Sequence, residues 1–216
     1  MKKYDTVIFD LDGTLLDTIN DLADSVNFTL NLYGFPCRNI AEVKSFVGNG
    51  VARLIELSIP DGLSNPQYKK CLADFRRHYS ENMQNKTCAY KGIMKLLEKL
   101  SKEGYKLAIV SNKFDTAVKG LNQVYFGEYI KVAIGESEGV SKKPAPDTVF
   151  KALRELGSAA DRSIYVGDSE VDVKTAKNSG IVCVGVTWGF RDREVLEQEG
   201  ADYIIDRPEE LLEIIE

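Results

Sequence analysis

The chain has 216 residues, 44% of them hydrophobic and 28% charged, with a formal net charge of -5. That length fits one generous globular domain or two small ones, and the composition excludes disordered and fibrous classes. The acidic balance disfavours nucleic acid or anionic lipid as a partner, although it permits a local basic site.

Thr6-Val7-Ile8-Phe9 reads as the first strand. The text then turns helical, with apolar residues at Ile19, Leu22, Ala23 and Val26, at Val51, Leu54 and Ile55, and at Tyr68, Leu72, Phe75 and Tyr79. Gly34-Phe35-Pro36 and Ile59-Pro60-Asp61-Gly62 supply the turns between them. Ile93, Leu96, Leu97 and Leu100 predict a helix that stops at Gly104, and Lys106-Leu107-Ala108-Ile109-Val110 a strand. Val149, Phe150, Leu153 and Leu156 predict another helix that stops at Gly157. Strands follow at Ser163–Val166, Ile181–Val186 and Tyr203–Ile205. Branched apolar runs of this kind are buried on both faces, and their alternation with helices predicts an α/β fold, a doubly wound parallel sheet. About ninety residues separate the first strand from the one at 106–110, far more than a crossover needs. The excess predicts an inserted helical subdomain over 17–85, interrupting a core made of 1–16 and 86–216.

The longest stretches without a charged residue, 25–37 and 178–190, fall short of the ~18 apolar residues of a membrane helix, so no membrane span is expected. Acidic residues interrupt the apolar run after Lys2 and Lys3 almost at once, so export is not expected either. Cys37, Cys71, Cys88 and Cys183 form no Cys-x-x-Cys pair, and His78 is the only histidine, which argues against a zinc site. They read as reduced thiols of a cytoplasmic protein, with Cys183 in the core. His78 reads as a partly exposed helix residue and Trp188 as a packing residue.

A parallel sheet presents its ligands at the carboxyl ends of its strands. Three of those ends are polar: Asp10-Leu11-Asp12-Gly13-Thr14, Ser111-Asn112-Lys113 and Gly167-Asp168-Ser169. Several carboxylates in one crevice repel unless a metal compensates them, so the set points to a cation together with an oxyanion. Asp10 and Asp12 turn to one side of an extended backbone, with Cα atoms roughly 6–7 Å apart at ~3.3 Å rise per residue. A phosphorus atom fits between a nucleophile and a general acid placed so. Gly13 permits a tight turn and close approach of backbone N–H groups to phosphate oxygens. Thr14 is suited either to phosphate or to capping the turn.

Asp10-Leu11-Asp12-Gly13-Thr14-Leu15-Leu16-Asp17 resembles the first motif of the haloacid dehalogenase superfamily of phosphatases. Ser111-Asn112 is similar to its second motif, Lys143 in Lys142-Lys143-Pro144-Ala145-Pro146 to its third, and Gly167-Asp168-Ser169-Glu170-Val171-Asp172 to its fourth. The four occur in the family's order, and the helical insertion resembles the family's cap on its Rossmann-like core. Phe46-Val47-Gly48-Asn49-Gly50 and Lys143-Pro144-Ala145-Pro146-Asp147 resemble the phosphoglycolate phosphatase branch. The resemblance implies a Mg2+-dependent hydrolase of a small phosphorylated metabolite, 2-phosphoglycolate or a similar ester, acting through an aspartyl phosphate. Asp10 is then the nucleophile and Asp12 the general acid and base. Asp10, the Asp12 backbone carbonyl and Asp168 are metal ligands, with Asp172 in an outer position. Ser111, Asn112 and Lys143 bind phosphate, Thr14 is a further candidate for that role, and Gly48, Asn49 and Gly50 are candidates for substrate choice. Lys142 is expected to be a solvated surface charge.

Other readings are a phosphosugar mutase, a nucleotide or pyrophosphate hydrolase of the same superfamily, and a non-catalytic phosphoacceptor module. Related mutases usually carry Glu-Asp where Gly167-Asp168 stands, and a phosphoacceptor module is normally shorter and lacks the insertion. A true dehalogenase needs neither the leaving-group acid nor the metal. The sequence carries no signal for oligomeric state.

Overall fold

A computed structural model describes residues 3–215. In chain order the elements are β1 (Thr6–Phe9), β2 (Leu16–Asp17), α1 (Ile19–Leu32), α2 (Ile40–Phe46), α3 (Val51–Ser58), α4 (Tyr68–Asn82), β3 (Cys88–Ala89) and α5 (Ile93–Lys102). There follow β4 (Lys106–Phe114), α6 (Asp115–Tyr125), β5 (Val132–Glu136), α7 (Asp147–Leu156), β6 (Ser163–Gly167), α8 (Glu170–Ser179), β7 (Val182–Val186), α9 (Arg193–Glu199), β8 (Tyr203–Ile205) and α10 (Leu211–Ile215). They fall into two compact units, one of Met1–Leu16 with Ala89–Glu216 and the other of Asp17–Cys88.

The first unit is built on a six-stranded sheet in the order β5-β4-β1-β6-β7-β8, parallel throughout. Every residue of β1 is buried, as the branched run Thr6-Val7-Ile8-Phe9 requires of a strand covered on both faces. Ile8, Ala108, Val110, Ile134, Tyr165 and Cys183 line one face and pack against Val149 and Leu153 of α7, Val173 and Ala176 of α8, and Leu196 of α9. Side chains alternate along a strand, so Val7, Phe9, Ile109, Val166 and Val184 point to the opposite face, where right-handed crossovers carry α5 and α6. The chain leaves β1 for β4 and β5 on one flank, then returns to β6 on the other. This reversal of strand order opens a crevice at the carboxyl end of β1, the usual position for a ligand in such sheets.

Three details differ from the sequence reading. Val132-Ala133-Ile134-Gly135-Glu136 forms β5, an edge strand that the helix-and-strand alternation does not announce because glycine and glutamate end its short apolar run. Gly135 is required there: a Cβ would stand 2.5 Å from the Asp115 Cα and 2.6 Å from the Lys113 carbonyl oxygen. β4 runs on through Ser111-Asn112-Lys113 to Phe114 instead of stopping at Val110, and its register with β5 shifts between Val110 and Phe114. Such an irregularity frees the intervening residues from the regular ladder and re-aims their side chains. On α7 the buried stripe is Thr148, Val149, Ala152 and Leu153, while Phe150 is exposed.

The second unit is helical. Ile19, Leu22, Ala23, Val26 and Leu30 of α1, Val51, Leu54 and Ile55 of α3, and Cys71, Phe75 and Tyr79 of α4 form its core. On α4 Cys71 takes the inward position in place of Leu72, because the stripe runs in steps of four. Asn39 and Glu42 close a reciprocal capping box at the start of α2. His78 is partly buried, stacked on Phe28 at 3.9 Å with its Nδ1 3.0 Å from the Ser25 hydroxyl. Asp21 accepts the backbone N–H groups of Lys86 and Thr87 and the Thr87 hydroxyl, which pins the end of this unit to α1. All four cysteines are free, and Cys183 is buried in the sheet core. Among the described residues, no helix is long and apolar enough to cross a membrane.

Gly135→Ala is expected to cost about 1–3 kcal/mol of stability, because the added methyl meets backbone that cannot step aside. Urea unfolding followed by circular dichroism would read the loss; an unchanged midpoint would mean that β5 and the β4 end yield freely.

Candidate active site

The centre of the site is one buried ammonium. Lys143, on the segment before α7, donates from Nζ to Asp10 Oδ1 at 2.8 Å, to Asp172 Oδ1 at 2.7 Å and to the Tyr165 hydroxyl at 2.9 Å. Its three protons are thereby directed to the end of β1, the first turn of α8 and the middle of β6. The Asn112 side-chain amide holds the Lys143 carbonyl oxygen at 3.0 Å. Lys142, its neighbour, is exposed.

Asp10, Asp168 and Asp172 are all buried, and each places a carboxylate oxygen within 4.8 Å of the other two. With all four groups ionised, Lys143 leaves two negative charges uncompensated. Burial, aided by the charges of Asp172 and Asp12 and opposed by Lys143, leaves the Asp10 carboxyl pushed up to about 7. Burial, followed by the charges of Asp172 and Asp10, drives Asp168 well above the usual carboxylate range. Lys143 is held well above its usual range despite burial, because Asp10 and Asp172 favour its charged form.

Asp168 and Asp172 are aimed by neutral donors as well. Asp168 accepts the Thr14 hydroxyl on Oδ1 at 3.0 Å and the Phe190 N–H on Oδ2 at 2.7 Å. Trp188 donates its indole N–H to the Thr14 carbonyl at 3.0 Å, so the 188–190 loop grips both Thr14 and Asp168. Asp172 accepts the Ser169 N–H and hydroxyl on Oδ2, at 3.1 and 2.6 Å, and the Tyr165 hydroxyl lies 3.1 Å from its Oδ1. Three glycines make room. A Cβ on Gly13 or Gly189 would lie 2.4 or 2.5 Å from Asp168 Oδ2, and one on Gly167 would lie 2.3 Å from the Asp172 Cβ.

Asp12 lies nearer the solvent, and both its oxygens accept from Lys113 Nζ, at 2.8 and 2.9 Å. Ser111 and Asn112 are buried beside this pair, and the Ser111 hydroxyl accepts the Lys113 N–H at 3.2 Å. The expected residues Asp10, Asp12, Thr14, Ser111, Asn112, Lys143, Asp168 and Asp172 therefore share one strand-end crevice. Thr14 is fully buried, with its hydroxyl spent on a carboxylate. Gly48, Asn49 and Gly50 join α2 to α3 in the helical unit.

The sequence reading missed Lys113, Tyr165, Ser169 and the Phe190 N–H. Two of them left signals: Ser169-x-x-Asp172 is a capping-box pattern, and a tyrosine inside the buried run Ser163–Val166 must find a partner for its hydroxyl. Nothing in Trp188-Gly189-Phe190 announces a backbone donor to Asp168.

Residues 7–186 match the model of the haloacid dehalogenase-like hydrolase family, and the chain belongs to that family. Its class is that of a phosphoric monoester hydrolase. A phosphoglycolate phosphatase of Aquifex aeolicus is 31% identical over 97% of this chain and 96% of its own. One from Mesorhizobium japonicum is 34% identical over 89% of this chain and 87% of its own. The fold is also similar to the crystal structure of a provisionally named phosphoglycolate phosphatase from Lactobacillus delbrueckii subsp. bulgaricus. That likeness has a TM-score of 0.93 and 34% identity, covering 99% of this chain and 98% of the other.

A carboxyl whose pKa is raised by folding keeps its proton where the unfolded chain has lost it. Without a bound cation, stability therefore falls as pH rises from about 4 to about 7, through the interval between the unfolded and folded values of Asp10. In the presence of chelator, Asp10→Asn is expected to melt above the wild type at pH 7, with the gap narrowing toward pH 4. A gap independent of pH in differential scanning fluorimetry would refute this electrostatic account.

Proposed function

We propose that the protein is a Mg2+-dependent phosphatase that hydrolyses a small phosphomonoester, with 2-phosphoglycolate the leading substrate, through an aspartyl phosphate on Asp10. The observation that carries the proposal is the charge imbalance: three mutually close buried carboxylates face one buried ammonium. The two surplus negative charges match a divalent cation, and an all-oxygen donor set suits magnesium. Asp10, Asp168 and the Asp12 carbonyl would hold it. Asp172 stays outside, because Lys143 and Tyr165 occupy one of its oxygens and Ser169 the other. Bound there, the ion would supply Lewis-acid stabilisation of charge on the transferring phosphoryl group and favour ionised Asp10.

The chain's own residues divide the rest of the reaction. An Asp10 carboxylate oxygen attacks phosphorus while the ester P–O bond breaks, and Asp12 gives its proton to the departing alkoxide. Asp12, now a carboxylate, takes a proton from the water that attacks the aspartyl phosphate, releasing inorganic phosphate and regenerating Asp10. Ser111 through its hydroxyl, Asn112 through its backbone N–H and Lys143 through its charge stabilise the equatorial phosphoryl oxygens. The substrate reading draws on the similarity to phosphoglycolate phosphatases from Aquifex aeolicus and Mesorhizobium japonicum. We extend the proposal to domain organisation, with 17–85 as a cap inserted into the core, and to a cytoplasmic setting, which suits four free thiols.

Phosphate release from a panel of 2-phosphoglycolate, sugar phosphates, nucleotides and pyrophosphate, compared as kcat/KM, tests the substrate. Activity is expected to disappear with chelator and return with Mg2+, and Asp10→Asn to lower kcat on the order of 10³-fold or more. Substantial turnover by Asp10→Asn, once deamidation is excluded by mass spectrometry, would overturn the mechanism. A dominant nucleotide would replace the substrate.

A further inference from the structure

An acid that protonates one particular oxygen needs a fixed direction as well as a proton. Asp12 has its direction set by Lys113, whose Nζ lies 2.8 and 2.9 Å from the two carboxylate oxygens. The Lys113 side chain is only 2% exposed, so it is not a roaming surface charge. Its backbone is held as well. The Lys113 N–H donates to the Ser111 hydroxyl, and its carbonyl lies against Gly135, where no Cβ fits. The register shift of β4 against β5 falls on these same residues and takes Lys113 out of the regular ladder.

We infer that Lys113 is a positioning residue that aims the Asp12 carboxyl at the leaving-group oxygen; the inference rests on the reading of Asp12 as proton donor. An ammonium can bond a carboxylate on both oxygens, but it bonds a carboxylic acid only on the carbonyl oxygen, because the hydroxyl oxygen turns its own proton outward. With Lys113 fixed on one side of Asp12, the protonated carboxyl presents its O–H on the other. In the second half-reaction the same ammonium holds the carboxylate in place while it takes the proton of water. Lys113 thus acts on the two proton transfers that need Asp12 and leaves the attack by Asp10 to other groups.

Leaving-group dependence isolates the first of these transfers. A p-nitrophenolate departs with little help from an acid, whereas an alkoxide such as that of glycerol phosphate needs the proton. Asp12→Asn is expected to lower kcat/KM, which reports the leaving-group step and not the shared hydrolysis of the aspartyl phosphate, for the alkyl ester on the order of 10²-fold or more beyond its effect on the aryl ester. Lys113→Met should show the same selectivity, about tenfold or more in the alkyl-to-aryl ratio of kcat/KM, with Lys113→Arg restoring much of it. Aryl turnover shows in the same assay that the variant is folded; if Lys113→Met is not, Lys113→Gln is read in its place. Equal losses of kcat/KM on both esters, or no recovery of the ratio in Lys113→Arg, would overturn the inference. A lack of selectivity in Asp12→Asn would instead reject the role of Asp12.

Discussion

Three contacts made by one ammonium hold the site together. Lys143 reaches the end of β1, the first turn of α8 and the middle of β6 at once, and each contact is a charge or a hydroxyl removed from water. A lysine taken out of solvent must be paired well or lose its proton. Here its own segment is anchored on both sides, by Asn112 to the Lys143 carbonyl and by Asn178 to the Pro144 carbonyl. The position of the charge is therefore set by the backbone, and the carboxylates are arranged around it.

The carboxylates in turn depend on absent side chains. Gly13, Gly167 and Gly189 stand where a single added carbon would meet Asp168 or Asp172. Space saved at these points lets three acidic groups come within reach of one another. Neutral donors then fix their rotamers: Thr14 and Phe190 for Asp168, Ser169 and Tyr165 for Asp172. The result is an electrostatically uncomfortable cluster held by steric and hydrogen-bond constraints, which is the form a preorganised site takes.

Residues that act through local pattern were legible in the sequence. The branched runs located five of the six strands of the parallel sheet, and the polar residues that follow β1 and β6 located Asp10, Asp12 and Asp168. β5 escaped because three apolar residues followed by glycine and glutamate look alike in a loop and in an edge strand. Lys113 escaped because a third polar residue after a strand reads as solvated until the β4–β5 register shift is known. The grip of Phe190 on Asp168 is a backbone donor more than twenty residues away, and no side-chain chemistry encodes it. Long-range placement, more than residue type, is what the linear text withheld.

β1 leaves the ribosome before both of its neighbours, β4 and β6, which pair with it through Lys106–Ile109 and Ser163–Val166. A ribosome that has delivered β1 but not yet β4 has made the strand that leads into Asp10 and Asp12 and neither of its flanks. Hydrogen bonding of that strand must wait for segments about a hundred and then more than a hundred and fifty residues downstream, a large loop-closure cost in the terms of polymer entropy. The last part of the crevice arrives later still, with Trp188 and Phe190. The nascent chain thus carries these carboxylates unassembled until β4, β6 and the 188–190 loop have been made.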